Sequence, residues 1–427
     1  MQEKTVALIL FLATYVCLLV FSKYRAQIAL FAALVFVLLG RVGLLPSFNY
    51  FAAIDWNVIL MIAGTMGVVS LFNESKMPSK LADIIMKKVP NVKWAMVSLA
   101  LFSGIISAFI DNVATVLMVA PVALNISKKQ KISPVPSIIA IAISSNLQGA
   151  ATLVGDTTSI LLGGAANMNF LDFFWYKGKP GIFWVVELGA FLTMFILLWL
   201  FRKFKQPTVV LQKTVVTDYF PSVLLVGIIA LLIGASVFEN KPAITNGIIC
   251  VSLLIIGLLR KYIKTKDKNT VIDALKEIDY TTLGLLAGLF ILIAGIKEVG
   301  VIDDIGSLFV RLGNDNLFLI YTLIVWASVA ISAVIDNIPY VATMLPVTAS
   351  IAAAMGIEPT ILYLGLIAGA TLGGNITPIG ASANIAGIGI LRKDGYEVNT
   401  GEFMKISVPF TLTAVLTGYI LLWIIWA

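Results

Sequence analysis

The sequence predicts an all-α polytopic membrane protein of two inverted repeats, with about ten transmembrane helices, two re-entrant hairpins and two broken helices. Three observations predict it. Of 427 residues, 59% are hydrophobic and 12% charged, whereas soluble domains carry roughly 25% charged residues. The stretch SAFIDNVATVLMVAP at 107–121 recurs as SAVIDNIPYVATMLPV at 332–347, which puts Asp336-Asn337 225 positions after Asp111-Asn112. The basic residues, finally, fall mostly on one side of the membrane only if both Asp-Asn segments turn back.

Taken in order, apolar runs at 5–22, 27–45 and 56–72 each have about the ~20 residues that a crossing needs. The first lacks a small-residue cleavage site and is followed at once by another span, so it reads as a transmembrane helix, with the mature chain expected to begin near Met1. Residues 77–90 are amphipathic and basic and read as an interfacial helix. The segment 94–126 is too long for one span and short for two, and 133–163 carries SSNLQGAATLVGD at its centre, which reads as a broken helix. A span at 182–201 ends the first half, and a charged cytoplasmic linker, 204–218, joins the halves. Spans then follow at 219–237, 244–260 and 281–297, with a solvated connection at 261–279. The second hairpin is 316–351, the second broken helix is 358–391 with GATLGGNITPIGAS, and the last span is 406–426.

Single crossings at both Asp-Asn segments would split the 30 Lys and Arg evenly between the two sides. Treating both as hairpins gathers 23 of the 30 on one side, which becomes the cytoplasmic one and leaves both termini outside. Each half, 1–203 and 219–427, then holds five crossings and one hairpin, and an odd number of crossings inverts the second copy. Eight of sixteen positions are identical between 107–122 and 332–347, and the same offset pairs Gly149 with Gly374, Thr152 with Thr377 and Gly155 with Gly380.

The absence of histidine removes Ser-His and His-metal chemistry. Cys17 and Cys250 lie in separate apolar runs, without metal spacing. An aspartyl intramembrane protease would want GxGD where this chain reads Leu153-Val154-Gly155-Asp156, so an enzyme is not expected. A carboxylate in the membrane marks an ion path or coupling site by default. Asp111 and Asp336 therefore read as symmetric cation or proton sites, Na+ included, with Asn112 and Asn337 as neutral neighbours. Gly149, Gly155, Gly374 and Gly380 would let backbone approach a ligand, while Thr152, Thr377, Ser382, Asn375 and Asn384 would offer hydroxyls and amides. Asp156 adds a carboxylate whose counterpart is Ala381, and Thr157 beside it is as readily a backbone-bonding residue as a ligand. Capping of the following half-helix is the plainer role for Asp111 and Asn112. It is the better reading for Asp55 and Asp279.

On SAFIDNVAT, SAVIDNIPYVATMLPV, GAATLVGD and GGNITPIGASAN, the chain resembles the ion-transporter superfamily. The branch is that of arsenite permeases, NhaD-type Na+/H+ antiporters and the melanosomal P protein. The resemblance implies an elevator-type secondary transporter in the cell membrane, homodimeric, needing no cofactor beyond Na+ or H+ as coupling ion. It extends the ligand set to Asn146. Where many relatives have Pro-Pro-Asn after Gly-Asp, this chain has Thr157-Thr158-Ser159. The expected function is ion-coupled transport of a small inorganic ion or anion. Alternatives are a plain Na+/H+ antiporter, an arsenite efflux permease, a channel or a carboxylate carrier, and Asp in place of a neutral hairpin tip counts against di- and tricarboxylates. The lipid bilayer and a small ion are the expected partners, and nucleic acid is not.

Overall fold

The computed structural model describes residues 2–207, 214–238 and 240–427; positions 208–213 of the predicted linker lie outside the described residues. The chain opens with α1 (Gln2–Val20), α2 (Arg25–Arg41), a short α3 (Tyr50–Ala53), α4 (Trp56–Glu74) and α5 (Met77–Met86). Next, α6 (Val92–Ser107) and α7 (Asn112–Gln130) flank the first Asp-Asn pair, and α8 (Val135–Gly149) and α9 (Thr157–Ala165) flank the first break. A small β-ribbon, Trp175–Tyr176 with Lys179–Pro180, precedes α10 (Ile182–Leu200). The second half runs α11 (Phe220–Ser236), α12 (Thr245–Thr265), α13 (Lys268–Lys276), α14 (Tyr280–Glu298) and α15 (Val301–Leu312). It continues with α16 (Leu317–Ser332), α17 (Asn337–Ala354), α18 (Thr360–Gly373), α19 (Ser382–Lys393) and α20 (Thr400–Trp426).

Seven helices, α1, α4, α10, α12, α14, α17 and α20, are long and apolar enough to cross a bilayer alone. The expected count of about ten is larger because α2 and α11 stop at 17 residues and because two expected crossings are broken helices. One of the seven, α17, was expected as a hairpin arm; it runs past the expected end of that arm to Ala354. The amphipathic α5 is present, whereas α13 and α15 have no counterpart among the predicted elements.

Both Asp-Asn segments reverse direction, and the packing register shows how. Ser103 Oγ donates to the Ile141 carbonyl at 3.0 Å and Thr152 Oγ1 to the Ala108 carbonyl, so α6 advances in step with α8. Because α7 feeds α8 through a short turn and its first residue, Asn112, meets Asn146 near the end of α8, α7 opposes α8 and hence α6. The open ends of the two arms meet the same segment: Lys93 N donates to the Phe204 carbonyl at 2.8 Å and Gln130 Nε2 to the Pro207 carbonyl at 2.6 Å. In the second half, Ser332 Oγ donates to the Ala370 carbonyl at 2.6 Å and Thr377 Oγ1 to the Ala333 carbonyl, repeating that register on α16 and α18.

The centre belongs to α8 and α18. All of α18, and all of α8 except Pro136, is buried. That is why these apolar helices tolerate Ser, Asn, Gln and Gly: they face protein on every side, and small residues let neighbours approach. Around them α2 packs along α14 and α12 along α4. The backbone at Ala29–Leu30 lies where a Cβ on Gly288 would be, and that at Cys250–Val251 does the same at Gly64. Cys250 is buried, and neither cysteine is in a disulfide. Ion pairs join several of the loops: Lys128 pairs with Asp394 at 2.5 Å, Lys261 with Glu74, and Arg260 with Asp218 at 2.6 Å.

Candidate functional site

Each Asp-Asn pair opens a helix at a hairpin tip, and the capping role is real in both. Asp111 accepts from Ala114 N at 3.0 Å, and Asp336 accepts from Ile338 N at 3.1 Å, so each carboxylate satisfies one orphan N–H of the helix it starts. Asp55 and Asp279 likewise cap α4 and α14. Capping leaves further acceptor capacity on every carboxylate.

The first tip docks on the first break. Asn112, 5% exposed, donates to Asn146 Oδ1 at 2.9 Å and to Asp156 Oδ1 at 3.4 Å. Asp156 caps α9, accepting from Thr157 N at 2.8 Å and from Thr158 Oγ1 at 2.7 Å. No Lys or Arg is paired with Asp111 or Asp156 among the described residues. The second tip is wired differently. Asp336 Oδ2 accepts from Ser382 Oγ at 3.2 Å and forms an ion pair with Arg25 at the start of α2. Arg25 also reaches Thr282 Oγ1 at 3.4 Å, and Thr282 donates to Asp279 Oδ2 at 2.5 Å.

A cavity of about 160 Å³ lies where these parts converge, room for a small ion with a few waters. Of the residues singled out in the sequence, Asp111, Asn112, Asp156, Thr157, Asn337 and Ser382 line it. Asp336 instead lines an adjoining cavity with Arg25 and Tyr15, and Ser382 stands between the two spaces. Asn146, Gly149, Thr152, Gly155, Gly374, Asn375, Thr377, Gly380 and Asn384 line neither cavity. They build the frame behind them. Thr152 and Thr377 each tie a break to a hairpin tip through the carbonyls of Ala108 and Ala333. Asn384 Nδ2 donates to the Gly374 and Thr377 carbonyls at 3.1 and 3.0 Å, stitching the second break to itself.

Two glycines are required by close approach. A Cβ on Gly155 would stand 2.5 Å from the Gly149 carbonyl oxygen, and one on Gly380 would stand 2.6 Å from that of Gly374. Sequence reasoning missed Arg25, which looks like one of the orientation charges between two spans. It also missed the cavity-facing side of Asp279, whose capping role hid a second one; the available signal was its recurrence at the mouth of both halves, with Asp55.

The arrangement offers carboxylate, amide and hydroxyl oxygens to a cation on the first-half side, and a guanidinium already engaged on the second. An uncharacterized transporter of Mycobacterium tuberculosis is 28% identical over 98% of this chain and 98% of its own length. The human P protein is 24% identical over 97% of this chain and 59% of its own length. Among solved structures, the Alcanivorax borkumensis YdaH transporter shares the fold at a TM-score of 0.56 and 16% identity, covering 88% of this chain and 85% of that one. A multi-pass helical chain whose relatives include proteins named as transporters, it matches over residues 15–369 the family described as citrate transporters, and it belongs to that family.

Proposed function

We propose that the protein is a secondary active transporter coupled to Na+ or H+, carrying a small inorganic ion or anion by an elevator-type movement of the hairpins and broken helices. The observation that carries the reading is the convergence of Asp111, Asn112 and Asp156 from one half with Asn337 and Ser382 from the other on a single cavity. Half-helices that start there turn N–H groups toward it, and the carboxylates give it negative charge for a cation or proton. The inverted repeats, 1–203 and 219–427, are supported by the matched order of helices and by the mirrored packing of α2 on α14 and α12 on α4. Homodimerisation, residence in the cell membrane and termini on the outer face complete the reading.

A carboxylate carrier is the second reading, because the family is described as citrate transporters. Against it stand Asp111, Asp156, Glu277 and Asp279 around the cavity, which would repel a bare polycarboxylate unless cations came with it. Arsenite efflux, plain Na+/H+ exchange and channel-like flux are separated from these by one assay. Purified protein in liposomes with an internal pH dye receives external Na+ alone, then arsenite, inorganic anions or citrate under imposed Na+ and H+ gradients. Saturable flux that follows a cation gradient is expected. Flux that is neither saturable nor gradient-coupled would replace the transporter mechanism with a channel.

A further inference from the structure

We propose that Arg25 is a tethered cation that fills, at Asp336, the position an exchangeable cation takes at Asp111, so the protein holds one exchangeable cation site and not two. The proposal rests on the ion-coupled reading and assigns its coupling ion to the first half.

The two tips are alike in sequence and backbone, but their electrostatics differ. Asp336 has its Oδ1 on the Ile338 amide, while its Oδ2 holds the Arg25 guanidinium and the Ser382 hydroxyl. A guanidinium never loses its charge in this setting, so a cation could bind Asp336 only by displacing Arg25. Lys23 lines the same cavity, but its ammonium lies over the Tyr24 ring at 5.9 Å from the centroid. At the first tip, Asp111 has Ala114 N and no cation, and Asp156 stands in the same cavity where the second half has Ala381. Asp111 and Asp156, which share their cavity with Glu277 and Asp279 and pair with no Lys or Arg among the described residues, are neutralised by a bound cation or a proton, whereas Asp336 is already compensated by a guanidinium.

The difference is built into the scaffold. The packing of Ala29–Leu30 on Gly288 and of Cys250–Val251 on Gly64 sets one register for α2 and α12, and in that register the counterpart of Arg25 is Asn246. Asn246 is 7% exposed, neutral, and its Oδ1 has no hydrogen-bond partner among the described residues. Of the two tips, only the second is therefore given a cation by this position of the opposite half. Arg25 is held firmly, because α2 lies against the glycines of α14 along its length, at Gly288 and again where Phe36 meets Gly295. Asp336 belongs to the hairpin. Any displacement of the hairpin relative to α2 must break the pair, which makes Arg25 a positioning residue for the second tip as well as its counter-charge.

The test is Na+ binding to the purified full-length protein, by equilibrium radioisotope binding with protons released measured in parallel over a pH series. Wild type is expected to bind one Na+, or to titrate one exchangeable proton, per chain. Arg25→Gln should raise the count to two, and Arg25→Gln with Asp336→Asn should return it to one. Arg25→Lys, which keeps the charge, should stay at one and reports that a change at this position is tolerated by the fold. Asp111→Asn should weaken the binding at least ten-fold. A count that stays at one in Arg25→Gln, or Asp336→Asn alone weakening binding as Asp111→Asn does, overturns the proposal. If wild type binds no Na+ and titrates no exchangeable proton, the ion-coupled reading itself falls, which is a distinguishable failure.

Discussion

Asn146 and Asn375 grip each other where α8 meets α18: Asn146 Nδ2 donates to Asn375 Oδ1 at 3.1 Å and to the Thr371 carbonyl at 2.7 Å, while Asn375 Nδ2 donates back to the Ile143 carbonyl at 3.0 Å. Both residues are essentially unexposed. Asn375→Ala would leave one Asn146 N–H without its acceptor, and stranding a buried polar group costs about 1–3 kcal/mol. We predict that Asn146→Ala and Asn375→Ala each lower the thermal unfolding midpoint in detergent, and that the double variant loses less than the sum because the two act as one unit. Strict additivity would show that each asparagine acts alone.

That pair also marks how far the sequence could be read. Hairpin and break positions were legible because Asp-Asn, Gly and Asn interrupt apolar runs at one offset in both halves, and the helices end within a few residues of those interruptions. What a polar residue does there was less legible. Asn146 and Asn375 have the same residue type and depth as Asn112, yet two of them knit the frame and only Asn112 faces the cavity. A linear pattern gives depth but not azimuth inside a cluster buried on all sides. Arg25 was hidden for another reason: counting charges for topology treats a basic residue as solvated, and its partner lies 311 positions away. The long apolar windows were legible as helices, but α2 and α11, read as spans from their apolar runs, stop at 17 residues because turns and caps use up the ends.

Neutralising the first-half carboxylates should separate transport from folding. Asp111→Asn and Asp156→Asn keep the shape and one acceptor oxygen, which suffices for the caps on α7 and α9. The lost charge-assisted contacts to a bound cation are worth about 1.5–3 kcal/mol each. Cation-driven flux in proteoliposomes is therefore predicted to fall roughly ten- to hundred-fold in either variant, with unfolding midpoints close to wild type. Unchanged flux in both would remove these residues from the ion path.

Gly155 and Gly380 make a matched structural test. A methyl group at Gly155 would meet the Ser107 and Ala108 carbonyls at 2.7 Å, and one at Gly380 would meet those of Ser332 and Ala333 at 2.7 and 2.9 Å. The clashes are with backbone, which cannot swing aside. Gly→Ala at either position should destabilise by about 1–3 kcal/mol and push the hairpin tip off its break, read as a lower midpoint and reduced flux together. Gly189, whose nearest foreign atom would lie at 3.7 Å, is the control expected to accept alanine.

On the basic face, Asp218 reports on pH. Hydrogen bonding to Arg260 holds its carboxyl down to about 2, with Lys264 adding to the effect. The folded value lies below the ordinary carboxylate value of roughly 3.9, so the pair's contribution is fully present above that pH and is lost as pH falls toward 2. The stability gap between wild type and Asp218→Asn should therefore close on acidification through this window, and it should shrink with added salt because the pair is partly exposed. A gap independent of pH would mean that the Asp218 charge contributes nothing to stability.

The orientation of the chain is open to direct labelling, because ion pairs sort loops onto two faces. Lys177 pairs with Glu358, and the ring of neighbouring Tyr176 lies 5.9 Å from that of Trp426, so the β-ribbon, the α17–α18 connection and the C-terminus share a face. Lys128 and Asp394 mark the other. The side chains of Glu358 and Lys128 are 71% and 48% exposed, enough for a thiol in their place to react. In whole cells of a Cys17→Ser, Cys250→Ser background, a membrane-impermeant maleimide is predicted to label Glu358→Cys at once and Lys128→Cys only after lysis. Immediate labelling of Lys128→Cys with protection of Glu358→Cys would invert the topology and turn the Arg25 side of the cavity outward. Equal labelling of both would place the two loops on one face and remove the ten-crossing arrangement altogether.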